Sequence, residues 1–243
     1  MDKEKKYELY VEGVNDKCVI ASIGYQRGVK PSHDKYELKF GEHLMSIKCD
    51  KNGRNNNDAT VFNLLRDALT IPQQYGAVAV VVDADDFNGK RAEDRVNKFL
   101  DIIAENNKGN EIYDLNIKLS DRGILLVPKE SYQNIFPKVG LWIMPNNNET
   151  GAIESFLWQS GPKADYQDTY NEVDKIVTEL ERRKNPKIMH YIENHRNKAL
   201  VHTFLAWIED PGNPMGTSVD KKCWNIQNAL VESFFNWLDA VYR

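Results

Sequence analysis

Two rhythms of apolar residues divide this chain. Residues 7–11 (YELYV) predict a short strand, closed at once by Glu12-Gly13. Over 14–25 the apolar positions recur at helical spacing, so the opening reads strand, tight glycine turn, helix. Residues 36–40 and 44–49 predict two further strands, and the polar run KNGRNNND at 51–58 predicts a loop. Helical spacing returns over 60–69. Residues 77–82 (AVAVVV) are the most apolar run, with the β-branched content of a strand buried on both faces, as central parallel strands are. That run ends in Asp83-Ala84-Asp85-Asp86. A long polar helix is expected over 90–106, and two more strands over 123–127 and 141–144.

Strands alternating with helices predict an α/β fold with a mainly parallel sheet flanked by helices. After residue 149 the strands stop. Residues 150–159, 166–183, 186–209 and 223–241 all read as helices, with Pro186 as a first helical residue behind Asn185. DPGNP at 210–214 is a break. The expected organisation is an α/β domain over 1–148 and a helical carboxyl-terminal portion over 149–243 packed on it.

With 243 residues the chain can bury a substantial core without disulfides or a structural metal. Its formal net charge of -4 gives no support to nucleic-acid binding by bulk charge, and leaves open a local basic strip or bound metal ions. Cys18, Cys49 and Cys223 are few, odd in number and without a CxxC pair, which reads as free thiols in a reducing cytoplasm. The start MDKEKKYELY has no apolar core of a signal peptide, and no run of about 18 apolar residues occurs. A cytoplasmic protein without a membrane partner is expected.

Three acidic features carry the chemistry. Glu12 and Asp16 follow the first strand, Asp83 and Asp85 follow the most apolar strand, and Glu154 opens a helix after the last strand. In an open α/β sheet, ligands sit beyond the carboxyl ends of the strands. If the two strands are neighbours, their carboxylates converge and raise one another's pKa values. A hard divalent cation, Mg²⁺ or Mn²⁺, removes that penalty, because it takes oxygen ligands and keeps waters for substrate phosphates. Glu154 has a plainer reading as a first-turn acid favoured by the helix dipole, and Thr150 as the cap of that helix.

The Glu after the first strand and the Asp83-Ala84-Asp85 pair after a later one resemble the Toprim signature, shared by topoisomerases, primases, OLD-family nucleases and small RNA-maturation nucleases. The EGxxD form, ending in Asp16, looks most like the OLD nuclease branch. The segments IMPNNNETGAIESFLW and KALVHTFLAWIEDPGNPMG look like a bacterial stand-alone Toprim family related to that branch. The resemblance implies a metal-dependent nuclease acting on DNA or RNA. Glu12, Asp83 and Asp85 would be catalytic, and Glu12, Asp16, Asp83, Asp85 and Glu154 would hold one or two Mg²⁺ or Mn²⁺ ions. No GxxxxGK[ST] ATPase motif, tyrosine cleavage module or zinc ribbon is present.

The alternative is a non-catalytic Toprim module that binds nucleic acid, a nucleotide, a protein partner or a second copy of the chain. Phosphoryl or nucleotidyl transfer on a small substrate is a third reading. Lys198 and His202, one helical turn apart, are either phosphate contacts or a solvated Lys and a core His. Arg182, Arg183, Lys184 and Lys187 form the best phosphate-contacting patch in the sequence. Phe204, Trp207, Trp224, Phe234, Phe235 and Trp237 fall at helical spacing and read as core.

Overall fold

The computed structural model describes residues 4–29, 35–49, 58–84, 92–183, 186–208, 211 and 214–243, with side chains described except at 58 and 186–194. Residues 51–57 of the loop expected over 51–58, Asp85, Asp86, the cap Asn185 and most of the break at 210–214 lie outside the described residues, and Asp58 is helical rather than loop.

Every expected strand forms: β1 (Lys6–Val11), β2 (Glu37–Phe40), β3 (His43–Lys48), β4 (Tyr75–Asp83), β5 (Ile124–Leu126) and β6 (Lys138–Met144). They make one six-stranded sheet in the order β2-β3-β1-β4-β6-β5. β3, β1, β4 and β6 run parallel, and β2 and β5 close the two sides antiparallel. The helices are α1 (Val14–Gln26), α2 (Asp58–Thr70), α3 (Ala92–Asn107), α4 (Ile153–Ser160), α5 (Gln167–Arg182), α6 (Pro186–Trp207), α7 (Met215–Asp220) and α8 (Ala229–Tyr242).

The period-2 geometry of β4 sorts its side chains between two cores. Ala77, Ala79 and Val81 face a core built with α1 and the helices from α4 onward. Val78, Val80 and Val82 face a second core made with α2 and α3. Burial on both faces explains why this strand is the most apolar run of the sequence. The carboxyl-terminal portion is therefore continuous with the sheet's packing: Trp142 of β6 meets Phe234 of α8 at 5.1 Å, and Trp237 Nε1 donates to the Ile124 carbonyl.

This topology defines a crevice. From β1 the chain leaves through α1 toward β3 on one side, and from β4 it leaves through α3 toward β6 on the other. Adjacent parallel strands with diverging exits make the switch point where α/β folds bind ligands. Here it lies beyond Val11 and Asp83.

Three local expectations change. Residues 223–228 are not helical; the last helix starts at Ala229, where the Asn228 side chain accepts the Val231 N–H as its cap. Six residues of helix, α7, precede it unforeseen. Trp207 is exposed rather than core, and so is His202, whereas Phe204, Trp224, Phe234, Phe235 and Trp237 are buried. The three cysteines are free thiols. No helix among the described residues is long and apolar enough to cross a membrane.

Candidate metal centre

β1 and β4 pair in register up to Val11 opposite Val81, so the residues that follow both strands emerge side by side. Glu12 Oε1 accepts the backbone N–H of Asp83 at 2.9 Å. One carboxylate is thereby fixed across the end of the neighbouring strand, and the two acidic strand ends named by the sequence share one edge.

Asp16 stands in the first turn of α1 and reaches back, its Oδ2 accepting the Gly13 N–H at 3.1 Å. This is half of a capping box and has a structural value of its own. A capping acid is ordinarily solvated, however, and Asp16 is buried. Burial pushes its carboxyl up to about 7, and the negative charges of Glu12 and Glu154 push the same way.

Glu154 is delivered by a different device. Ala84 and Gly151 form an isolated antiparallel bridge, the Ala84 N–H donating to the Gly151 carbonyl at 2.9 Å. The bridge ties the segment after β6 to the end of β4 and starts α4 beside the cluster. The cap is not Thr150 but Ala152, whose N–H donates to Ser155 Oγ. Glu154 then lies in the first turn, where the dipole favours an acid, and it is buried. Lys198, its side chain still 43% exposed, brings Nζ to 4.0 Å of Glu154 Oε1, so this solvated lysine stands at the rim of the site. His202, one turn on, is exposed.

Gly151 sits at φ +149° with Ser155 Oγ 2.3 Å from the place a β-carbon would take. Gly151→Ala is therefore expected to strain the bridge and break the cap, destabilising the fold by about 2–4 kcal/mol. Urea unfolding curves of the two proteins measure it; an unchanged midpoint would show that the bridge is dispensable.

Sequence reasoning passed over Arg95. It is a buried guanidinium on α3, and its Nε donates to the Asp83 carbonyl at 3.0 Å. Its spacing to the buried Phe99, Ile102 and Ile103 places it on the inward face of that helix, which was a legible sign. Arg95 fixes the main chain at the end of β4 and sets a positive charge under the acidic edge.

The donors are carboxylate oxygens, the type a hard divalent ion takes, and Asp16, pushed up first by burial and then by the charge of Glu12, is a group whose charged form such an ion would favour. Among the described residues, no group of three or more His, Cys, Asp or Glu is placed to hold a metal ion. Asp85, the expected fifth acid, lies outside the described residues. The donor type thus suits a divalent ion, and the described carboxylates do not by themselves make a complete ligand set. Of the basic patch in the sequence, Arg182 and Arg183 both bind Glu179, at 2.9 and 3.3 Å, and the side chains of Lys184 and Lys187 lie outside those described.

A family model described as "Protein of unknown function (DUF3226)" matches residues 6–243. No curated protein and no solved structure matches the chain.

Proposed function

This chain belongs to the DUF3226 family, and from its own residues we propose that it is a metal-dependent phosphodiesterase, a nuclease of Toprim type acting on DNA or RNA. The observation that carries the reading is the Glu12–Asp83 contact across two parallel strand ends, with buried Asp16 and Glu154 pressing on the same point. A purely structural role does not account for a buried acid, Asp16, whose carboxyl is pushed up by burial and by the charges of Glu12 and Glu154 at a topological switch point; a perturbed acid in such a crevice marks a functional site.

On this reading Glu12, Asp16, Asp83 and Glu154, with Asp85 two residues after Asp83 in the sequence, would hold one or two Mg²⁺ or Mn²⁺ ions. The bound ion supplies a water of lowered pKa and neutralises charge on the phosphate. The chain's own residues do the rest. Glu12, held by the Asp83 N–H, keeps one oxygen fixed while its charge faces the crevice. Arg95 holds the strand end that carries Asp83. The amino-terminal ends of α1 and α4 both open at the cluster, and their dipoles favour anionic groups there. Lys198, paired with Glu154, adds a cation at the rim where a phosphate oxygen would lie.

Purified protein is expected to cleave end-labelled DNA or RNA when Mn²⁺ or Mg²⁺ is supplied. Excess EDTA should stop the reaction, and lowering the salt should not restore it, because an acidic pocket without metal repels phosphate. Cleavage persisting in EDTA would defeat the proposal. Binding without cleavage at any metal concentration would favour a non-catalytic module.

A further inference from the structure

The start of α4 is pinned twice. The Ala84–Gly151 bridge holds the chain just before it. The cap is the second pin: the buried Ser155 Oγ accepts the Ala152 N–H at 3.2 Å and Nδ2 of Asn197 at 2.9 Å. Both lone pairs of that hydroxyl are then engaged, one of them from α6. The α6 backbone breaks at His195 (φ -140°, ψ 35°), and the three residues after the break each take a different neighbour. Arg196 binds Asp174, Thr178 and Glu181 of α5, at 3.3, 2.9 and 2.9 Å. Asn197 takes the Ser155 hydroxyl, and Lys198 comes to 4.0 Å of Glu154. Glu154 immediately precedes Ser155, so the carboxylate that presses on Asp16 stands on a turn held from α6.

We propose that Asn197 is a positioning residue for the metal centre: its bond to Ser155 fixes the first turn of α4 and thereby aims Glu154 at the ion. The inference rests on reading the acidic cluster as a divalent-metal site, and it adds a residue that touches neither ion nor substrate. Capping alone does not call for Asn197, because Ser155 already accepts the Ala152 N–H. A second partner, from a helix far along the chain, removes the remaining freedom of the hydroxyl and of the turn that carries it. Outer-shell partners orient metal ligands in this way. Mg²⁺ in particular demands near-ideal octahedral geometry, so a carboxylate on a loosened turn ligates it poorly.

The test is calorimetric titration of the full chain with Mn²⁺, on wild type, Asn197→Leu and Asn197→Ser, each with and without Glu154→Gln. Leu keeps bulk and lacks the donor; Ser stays polar and falls short of Ser155. Asn197 is partly exposed, so the fold should tolerate both. Thermal melts set the titration below every transition, and if one variant fails to fold the other decides. Each Asn197 variant should weaken Mn²⁺ binding about tenfold. In the Glu154→Gln background the same changes should add less than about twofold, because the ligand they aim is gone. A merely structural role would weaken binding equally in both backgrounds. Wild-type affinity in the Asn197 variants, or equal losses with and without Glu154, would overturn the positioning role and leave the metal site standing. No Mn²⁺ binding by wild type would overturn the site, and the role with it.

Discussion

Replacing Glu12 by Gln is expected to lower metal-dependent cleavage at least about a hundredfold, the lower end of what losing several kcal/mol of metal-derived stabilisation brings. The fold should survive. Glu12 Oε1 accepts the Asp83 N–H, and a glutamine amide oxygen can keep that bond. What disappears is one negative charge at the crevice. That charge also presses on Asp16, so the variant without metal should be somewhat more stable than wild type near neutral pH. Cleavage rates on a labelled oligonucleotide and melts of the same preparations measure both. A variant that cleaves at the wild-type rate would assign the activity to another site or to a contaminant.

The second large effect is a pH dependence set by Asp16. Its carboxyl rises from an ordinary value of 3.8 to about 7 in the folded chain, through burial and then the charge of Glu12. Between those values the folded state holds a proton that the unfolded state has lost. The stability slope is therefore negative there. The contribution is fully present below about pH 4, falls as pH rises toward 7, and has levelled off above it. Without metal, wild type should lose stability across that window, and Asp16→Asn should flatten the loss while raising stability at pH 8. Asn keeps the shape and carries no charge, and its side-chain oxygen can still accept the Gly13 N–H. Denaturant midpoints from pH 4 to 8 check it. Parallel profiles for the two proteins would show that Asp16 is an ordinary cap.

Much of this was legible in the residues, for reasons that differ by element. AVAVVV could be read as a central strand because burial on both faces leaves it no polar position, and β4 is such a strand. Glu12 and Asp83 could be placed on one edge only if their strands were neighbours and parallel; pattern sets the direction of a strand's apolar faces, not its partner, and the pairing came from the structure. The delivery of Glu154 was hidden, because it depends on the Ala84–Gly151 bridge, a contact between distant segments with no local signature. The start of the last helix was misread because the buried Cys223, Trp224 and Ile226 mimic helical spacing while lying in irregular chain, with Trp224 bridged to Pro162. A sequence shows Arg182 and Arg183 as neighbouring cations but not that Glu179, on the same helix face, pairs with both.

The carboxylate site stands or falls on whether the folded chain binds a divalent ion through these acids. Thermal melts at pH 8, with and without Mn²⁺, on wild type and on Asp16→Asn measure that most directly. An ion at about a hundred times its dissociation constant stabilises a fold by about 2.7 kcal/mol, which for a chain of this size raises the melting temperature by roughly 5–10 °C. Wild type should show that rise, and Asp16→Asn should lose most of it while melting higher than wild type in the absence of metal. Equal Mn²⁺-induced shifts in both proteins, or none in either, would contradict the site.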